Sequence, residues 1–215
     1  MPLSILKKRE LVLDDSTVAG ILLAARTRQE RDYLIIALMA YRGLRIGEIV
    51  GERKLWRFKR KNGEEVSGVS ELPGILREDI REWSVWVRGK GGRIDQLRLP
   101  TWLYEDLRAY VRNKKYWLSP KNRLFDITER QVYRLCLDHA KKVGVQDWVL
   151  VHPHRFRHYF ITRVHRLYKD PHTTKSLARH VNFITTLRYI ADLSPEEEAV
   201  KIEALERPKG FATNP

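Results

Sequence analysis

Nine consecutive apolar residues, Tyr33 to Tyr41, stand between Asp32 and Arg42. A run that is hydrophobic all the way round a 3.6-residue period leaves no face for water, so it is predicted to be a buried helix on which the rest of the chain must pack. It is far too short for the roughly 20 residues of a membrane-spanning helix, and no membrane partner is expected. Gly43 follows, suited to the left-handed end of a helix. Arg45 then stands on the turn into a short helical segment, Ile46–Val50. Upstream, Asp14, Asp15 or Ser16 can cap an amphipathic helix whose apolar positions Val18, Ile21, Leu22 and Ala25 repeat at helical spacing.

Beyond Gly51 the apolar period disappears. Arg53, Lys54, Arg57, Lys59, Arg60 and Lys61 accumulate with Trp56 and Phe58 between them, so an exposed insertion or hairpin is expected over about residues 52–70. From Ser84 to Leu99 the period becomes two. Val85 and Val87 precede Gly89-Lys90-Gly91-Gly92, and Leu97 and Leu99 follow it, which predicts a β-hairpin with Lys90 at a glycine-rich tip. Thr101 opens a helix with Leu103, Leu107, Tyr110 and Val111 inward. Thr128-Glu129-Arg130-Gln131 is a capping box for another, with Val132, Leu135, Cys136, Ala140 and Val143 inward and Gly144 at its end. Residues 154–191 read as two or three short helices broken near Asp170-Pro171 and Val181-Asn182. Ser194-Pro195-Glu196-Glu197 opens a last helix. The expected fold is α+β, mostly α-helical, with a small antiparallel sheet or hairpin. Residues 1–10 read as a short lead, 11–193 as the main domain and 194–215 as a C-terminal helix and tail able to contact a second protomer.

The chain of 215 residues has 41 Lys and Arg against 27 Asp and Glu, a formal charge of +14. That excess points to a polyphosphate partner, and its spread over many segments favours nucleic acid over a membrane surface. The single cysteine, Cys136, excludes an intrachain disulfide and a cysteine-built zinc site, and it fits a reducing, cytoplasmic setting. On its helix it reads as a small buried hydrophobe.

Six of the seven histidines fall between His152 and His180. His154 and His158 have the i, i+4 spacing of two metal ligands. No carboxylate lies between them, however, and Arg155, Arg157 and Arg163 would repel a dication, so no metal is expected. Guanidinium groups mixed with imidazoles suit a phosphate oxyanion instead.

At this point the residues resemble the catalytic domain of the tyrosine recombinase, or phage integrase, family, over about Leu11 to Ala191. Gly43-Leu-Arg45-Ile-Gly-Glu48 resembles its first arginine box. Arg88-Gly-Lys90-Gly-Gly-Arg93 resembles the hairpin bearing its lysine, and His154-Arg-Phe-Arg157-His158 its His-x-x-Arg-His box. Ala178-Arg179-His180 stands where Leu-Gly-His is usual, with Arg179 in the glycine's place. Thr185-Thr186-Leu-Arg-Tyr189 resembles the nucleophile segment, nine residues beyond His180. His152-x-x-Arg155 also fits His-x-x-Arg; His154 and Arg157 are taken because Phe156 and His158 then fall into the family's pattern.

The resemblance implies a site-specific recombinase or integrase that cuts and rejoins DNA through a 3′-phosphotyrosine, with neither ATP nor metal. Tyr189 would be the nucleophile, Arg45 and Arg157 the clamp on the non-bridging oxygens, and His180 a further donor. His154 would take the phenolic proton, Lys90 would protonate the leaving 5′-oxygen, and Glu48 and His158 would support them. Double-stranded DNA is the implied partner, with four protomers in the synapse. The residues themselves leave two readings of the basic stretch open: Arg53, Lys54, Arg57, Lys59, Arg60 and Lys61, with Arg93, as a grip on DNA, or a solvated charged loop. A catalytically inactive DNA-binding regulator on the same fold is the alternative. A metal-dependent nuclease is disfavoured by the lack of clustered carboxylates among these motifs.

Overall fold

The computed structural model describes residues 13–89, 92–113, 122–179 and 202–203. The chain enters through α1 (Asp15–Arg28), whose N-cap is Asp14: its carboxylate accepts from Thr17 N at 2.7 Å. The helix buries Val18, Ile21, Leu22 and Ala25, as their spacing predicts. Helix α2 (Glu30–Arg42) contains the apolar run, and every residue from Tyr33 to Tyr41 is buried. Helices α1, α6 (Pro153–Tyr168) and α4 (Thr101–Asn113) pack against it. Each large aliphatic or aromatic side chain removed from water in this way contributes about 1.5–3 kcal/mol. Gly43 ends α2 with φ +67°, and α3 (Ile46–Val50) starts three residues later with Arg45 as its N-cap.

Strands β1 (Glu52–Lys59) and β2 (Glu65–Leu72) form an antiparallel hairpin in register from Glu52 opposite Leu72 to Lys59 opposite Glu65. This is the expected insertion. Its two ends meet at Gly51 and Gly74, where φ at Gly74 is +80° and a Cβ would come within 2.6 Å of Gly51 N. A separate three-stranded sheet has the order β3 (Ile80–Arg81), β4 (Ser84–Arg88), β5 (Ile94–Arg98). The β4–β5 pair is the predicted hairpin. Strand β3 was not legible, because two residues are too few to display a period.

Helix α4 buries Leu103, Leu107, Tyr110 and Val111. Helix α5 (Glu129–Lys142) opens on the Thr128 capping box and buries Val132, Leu135, Cys136 and Ala140. Val143 differs from expectation. It occupies the C-cap, beyond the helical stripe, and is 38% exposed.

Residues from 153 onward form one unbroken 16-residue helix, α6, with Pro153 in its first turn, followed by α7 (Pro171–Ala178). The break falls at Lys169, with φ +49°, and at Asp170, which caps α7. The break expected near Val181-Asn182 lies outside the described residues, as does most of the segment from Ser194. Within that segment Ile202 is buried in the core and the Glu203 carboxylate accepts from Thr101 N at 3.2 Å, at the positive end of α4. At this turn the segment packs on its own domain. No helix among the described residues is long and apolar enough to cross a membrane.

Candidate active site

Four helix ends and two hairpins surround a cavity of about 570 Å³, lined by Arg45, Lys54, Arg93, Arg157, Arg179 and His154 and by the carboxylates of Glu48, Glu52, Asp95 and Glu129. Arg45 reaches it from the α2–α3 turn, His154 and Arg157 from the first turns of α6, and Arg179 from the end of α7. The sequence-predicted residues Arg45, Glu48, His154 and Arg157 therefore come together.

Of the two predicted arginines, Arg157 is the buried one. Its guanidinium donates to the carbonyl oxygens of Gly43 and of Ala178, the latter at 2.5 Å, and so ties α6 to the ends of α2 and α7. These bonds use two of the five N–H donors of a guanidinium. Burial, and next the charge of Arg45, pushes its pKa down to about 10, which still leaves it cationic at neutral pH. Arg45 is half exposed, its guanidinium 3.2 Å from Glu48 Oε1, while Glu48 Oε2 accepts from Arg45 N at 2.8 Å. Glu48 is itself buried and also accepts from Arg179 at 2.6 Å. A carboxylate between two arginines orients both and holds them close despite their like charge.

His154 is exposed at the rim. Its partial burial, and then the charges of Arg157, His158, Arg155 and Arg45, hold its pKa below the ordinary imidazole value. The neutral ring can accept a proton. His158 lies one turn further along α6, where its Nδ1 stands 3.5 Å from Thr162 Oγ1; it does not line the cavity. In the alternative register, neither His152 nor Arg155 lines the cavity. His152 instead stacks between Tyr133 and His154. Among the described residues no three His, Cys, Asp or Glu side chains converge to hold a metal ion.

Lys90, His180 and Tyr189 lie outside the described residues. The chain neighbours of the first two, Gly89 and Arg179, both line the cavity. Of the remaining basic residues, Lys54 and Arg93 line it too. Lys54 pairs with Glu52, Arg53 with Glu71 at 3.0 Å and Arg60 with Glu64 at 2.9 Å. Arg57, Lys59 and Lys61 are exposed and form no ion pair among the described residues. Phe58 is exposed on the same hairpin.

The chain matches no protein-family model. Over 151 residues it is 32% identical to tyrosine recombinase XerC of Staphylococcus saprophyticus and to that of Staphylococcus carnosus, covering 66% of this chain and 50% of each relative. Over this stretch the chain is similar to tyrosine recombinases. It spans about half the length of the curated relatives it matches.

Solved recombinase structures share the fold of this chain. The integrase of mycobacterium phage Brujita aligns at TM-score 0.62 with 22% identity, over 100% of this chain and 62% of that one. The XerA recombinase aligns at 0.60 with 21% identity, over 85% and 58%. The XerH recombinase bound to its difH substrate aligns at 0.57 with 16% identity, over 80% and 47%.

Sequence reasoning missed Asp95, Glu129 and Tyr133 as cavity residues, and saw Arg179 only as a departure from the glycine of the family it resembles. Asp95 carried a signal. It shares its strand face with Leu97 and stands opposite buried Val87, so a carboxylate occupies an inward position. Glu129 and Tyr133 are one helical turn apart on α5 and read only as surface residues.

Proposed function

We propose that the chain is the catalytic domain of a site-specific DNA recombinase or integrase that cuts and rejoins DNA through a 3′-phosphotyrosine on Tyr189. The observation carrying this reading is the meeting of Arg45, Arg157 and His154, from separate helix ends, at one cavity with a charge-neutralising frame. Developing charge on a phosphoryl group needs cations already in place, and each such donor accounts for about 10²–10³ in rate. The similarity to XerC recombinases supports the chemistry, and the XerH neighbour, solved bound to a difH substrate, supports DNA as partner.

In the proposed step the Tyr189 oxygen attacks the scissile phosphorus in line while neutral His154 takes the phenolic proton. Arg45 and Arg157 hold the non-bridging oxygens, with His180 as a further donor. The bond to the 5′-oxygen breaks and Lys90 supplies its proton. Attack by a 5′-hydroxyl reverses these transfers and joins the strand, so the energy of the phosphodiester is conserved in the tyrosyl link. Lys54 and Arg93 at the cavity mouth, and the basic β1–β2 hairpin beside it, would follow the flanking backbone. Strand exchange would assemble four protomers on two duplexes.

A nicked suicide duplex tests this. The wild-type chain is expected to form a covalent adduct mapping to Tyr189, in EDTA as well as without it. Tyr189→Phe should form none while binding DNA within about 1 kcal/mol of wild type, since one hydroxyl contributes little to a charge-dominated interface. Tight binding by the wild-type chain without adduct would instead support the inactive regulator.

A further inference from the structure

Arg179 ends α7 with φ +52° and ψ +46°, in the left-handed region that favours glycine. A long charged side chain at such a position is disfavoured by the backbone, so its retention calls for a compensating contact. The contact is double. One η nitrogen donates to Glu48 Oε2 at 2.6 Å and the other to Asp95 Oδ2 at 2.9 Å, with the side chain 8% exposed.

Each carboxylate belongs to a different part of the site. Glu48 also accepts from the backbone and guanidinium of Arg45. Asp95 lies on β5, opposite Val87 of β4, and its other oxygen accepts from Arg93 Nε at 2.7 Å. Strands β4 and β5 are the arms of the hairpin whose connection carries Lys90. One planar guanidinium therefore joins the arginine turn, the lysine hairpin and the end of α7. A forked donor can do this, whereas a single ammonium point charge cannot hold two carboxylates in defined directions.

We infer that Arg179 is a positioning residue that fixes the resting place of the Lys90 hairpin against Arg45 and Arg157, by clamping Asp95 to Glu48. The inference rests on the proposed recombinase chemistry for its kinetic consequence, but not for its mechanical one. Loss of the clamp frees the hairpin and leaves the Asp95 carboxylate, held by Arg93 alone, as a less compensated negative charge at the cavity. Cleavage should then slow more than DNA binding weakens.

The experiment compares the full chain with Arg179→Gly, Arg179→Lys, Asp95→Asn and the Arg179→Gly/Asp95→Asn double variant. Glycine suits the backbone of this helix end, so folding is retained and checked by thermal unfolding. Amide hydrogen exchange over residues 84–98 in the DNA-free protein is expected to rise at least tenfold in both Arg179 variants and in Asp95→Asn, with no further rise in the double variant. Single-turnover adduct formation should fall about 10- to 100-fold in Arg179→Gly while the Kd for DNA changes less than about threefold. The double variant should recover part of that rate, because the negative charge that had lost its Arg179 partner is gone. Unchanged hairpin exchange in Arg179→Gly, or additive effects in the double variant, would overturn the clamp. A wild-type chain that forms no adduct defeats the recombinase reading instead, and the exchange measurement still decides the coupling.

Discussion

The guanidinium of Arg157 donates to the main-chain oxygen of Gly43, two residues ahead of Arg45. The buried arginine is thereby a strut under the turn that presents the exposed one, and with its bond to Ala178 it also braces the end of α7. Lysine at this position keeps the charge but cannot reach both carbonyls. Arg157→Lys is expected to cost about 1–3 kcal/mol in stability, through a buried acceptor left without its donor, and at least 100-fold in adduct formation. Chemical denaturation and a single-turnover assay read the two effects. A fully active lysine variant would show that charge alone suffices.

Gly43 has a second constraint. Its φ is +67°, and a Cβ there would lie 2.4 Å from Phe160 Cδ1 on α6. Neither the backbone nor an aromatic ring packed in the core can yield at little cost. Gly43→Ala is expected to destabilise by about 2–5 kcal/mol, combining left-handed strain with overpacking. Denaturant midpoints measure this, and a change under about 1 kcal/mol would mean that α6 can shift away.

Asp170 caps α7, the helix that delivers Ala178 and Arg179 to the site. Its carboxylate accepts from the backbone nitrogens of His172 and Thr173, at 3.1 and 2.8 Å, and from the Thr173 hydroxyl. The Thr173 hydroxyl and these backbone donors lower its pKa to about 2. Folded-state affinity for the proton is thus below the unfolded value of 3.8, so the cap stabilises fully above that pH and its contribution is lost as pH falls towards 2. Asp170→Ala should cost about 1 kcal/mol at pH 7 and flatten the acid limb of the stability curve. Equal acid sensitivity in both proteins would contradict this.

Much of this was legible because it depends on local pattern. The apolar run from 33 to 41, the capping cluster Asp14-Asp15-Ser16, the Thr128 cap and the period-two segments around Gly89 each declare their element within a few residues. The gathering of Arg45, Glu48, His154 and Arg157 was legible through resemblance, since nothing local links residue 45 to residue 157. What escaped is non-local and specific to this chain. The Arg179 clamp requires knowing that β5 passes beside the end of α7, and β3 owes its pairing to β4 rather than to its own two residues.

His152 and His154 make the acid limb near neutrality. Both are held below the ordinary histidine value of 6.5, first by burial and then by neighbouring cations: for His152 Arg155, for His154 Arg157. Above pH 6.5 both are neutral folded and unfolded, and contribute nothing. As pH falls through 6.5 the unfolded chain binds protons that the folded chain refuses, so stability declines. The Tm of wild type is expected to drop between pH 7 and 5 more than that of a His152→Gln/His154→Gln variant. With His154 as base, adduct formation should persist below pH 6.5 and fail only once that ring itself is protonated. Coincident stability curves for the two proteins would remove the first expectation, and a rate that tracks pH 6.5 the second.

The β1–β2 hairpin separates two kinds of basic residue. Arg53 and Arg60 already face Glu71 and Glu64, so a phosphate must compete with a carboxylate for them, whereas Arg57 and Lys59 are exposed and unpaired among the described residues. An isolated two-stranded hairpin is only marginally stable in water, which suits an arm that settles on binding. Every phosphate that a cation ceases to neutralise reduces the slope of log K against log salt by about 1. Arg57→Ala/Lys59→Ala is therefore expected to lower that slope by about 2, weakening binding most at low salt and equally on any sequence. Arg53→Ala/Glu71→Ala, which removes a pair and no net charge, should leave it within about 0.5. Titration of a labelled duplex between 50 and 200 mM salt distinguishes the two, and equal slopes for both variants would mean that the hairpin stays clear of the DNA backbone.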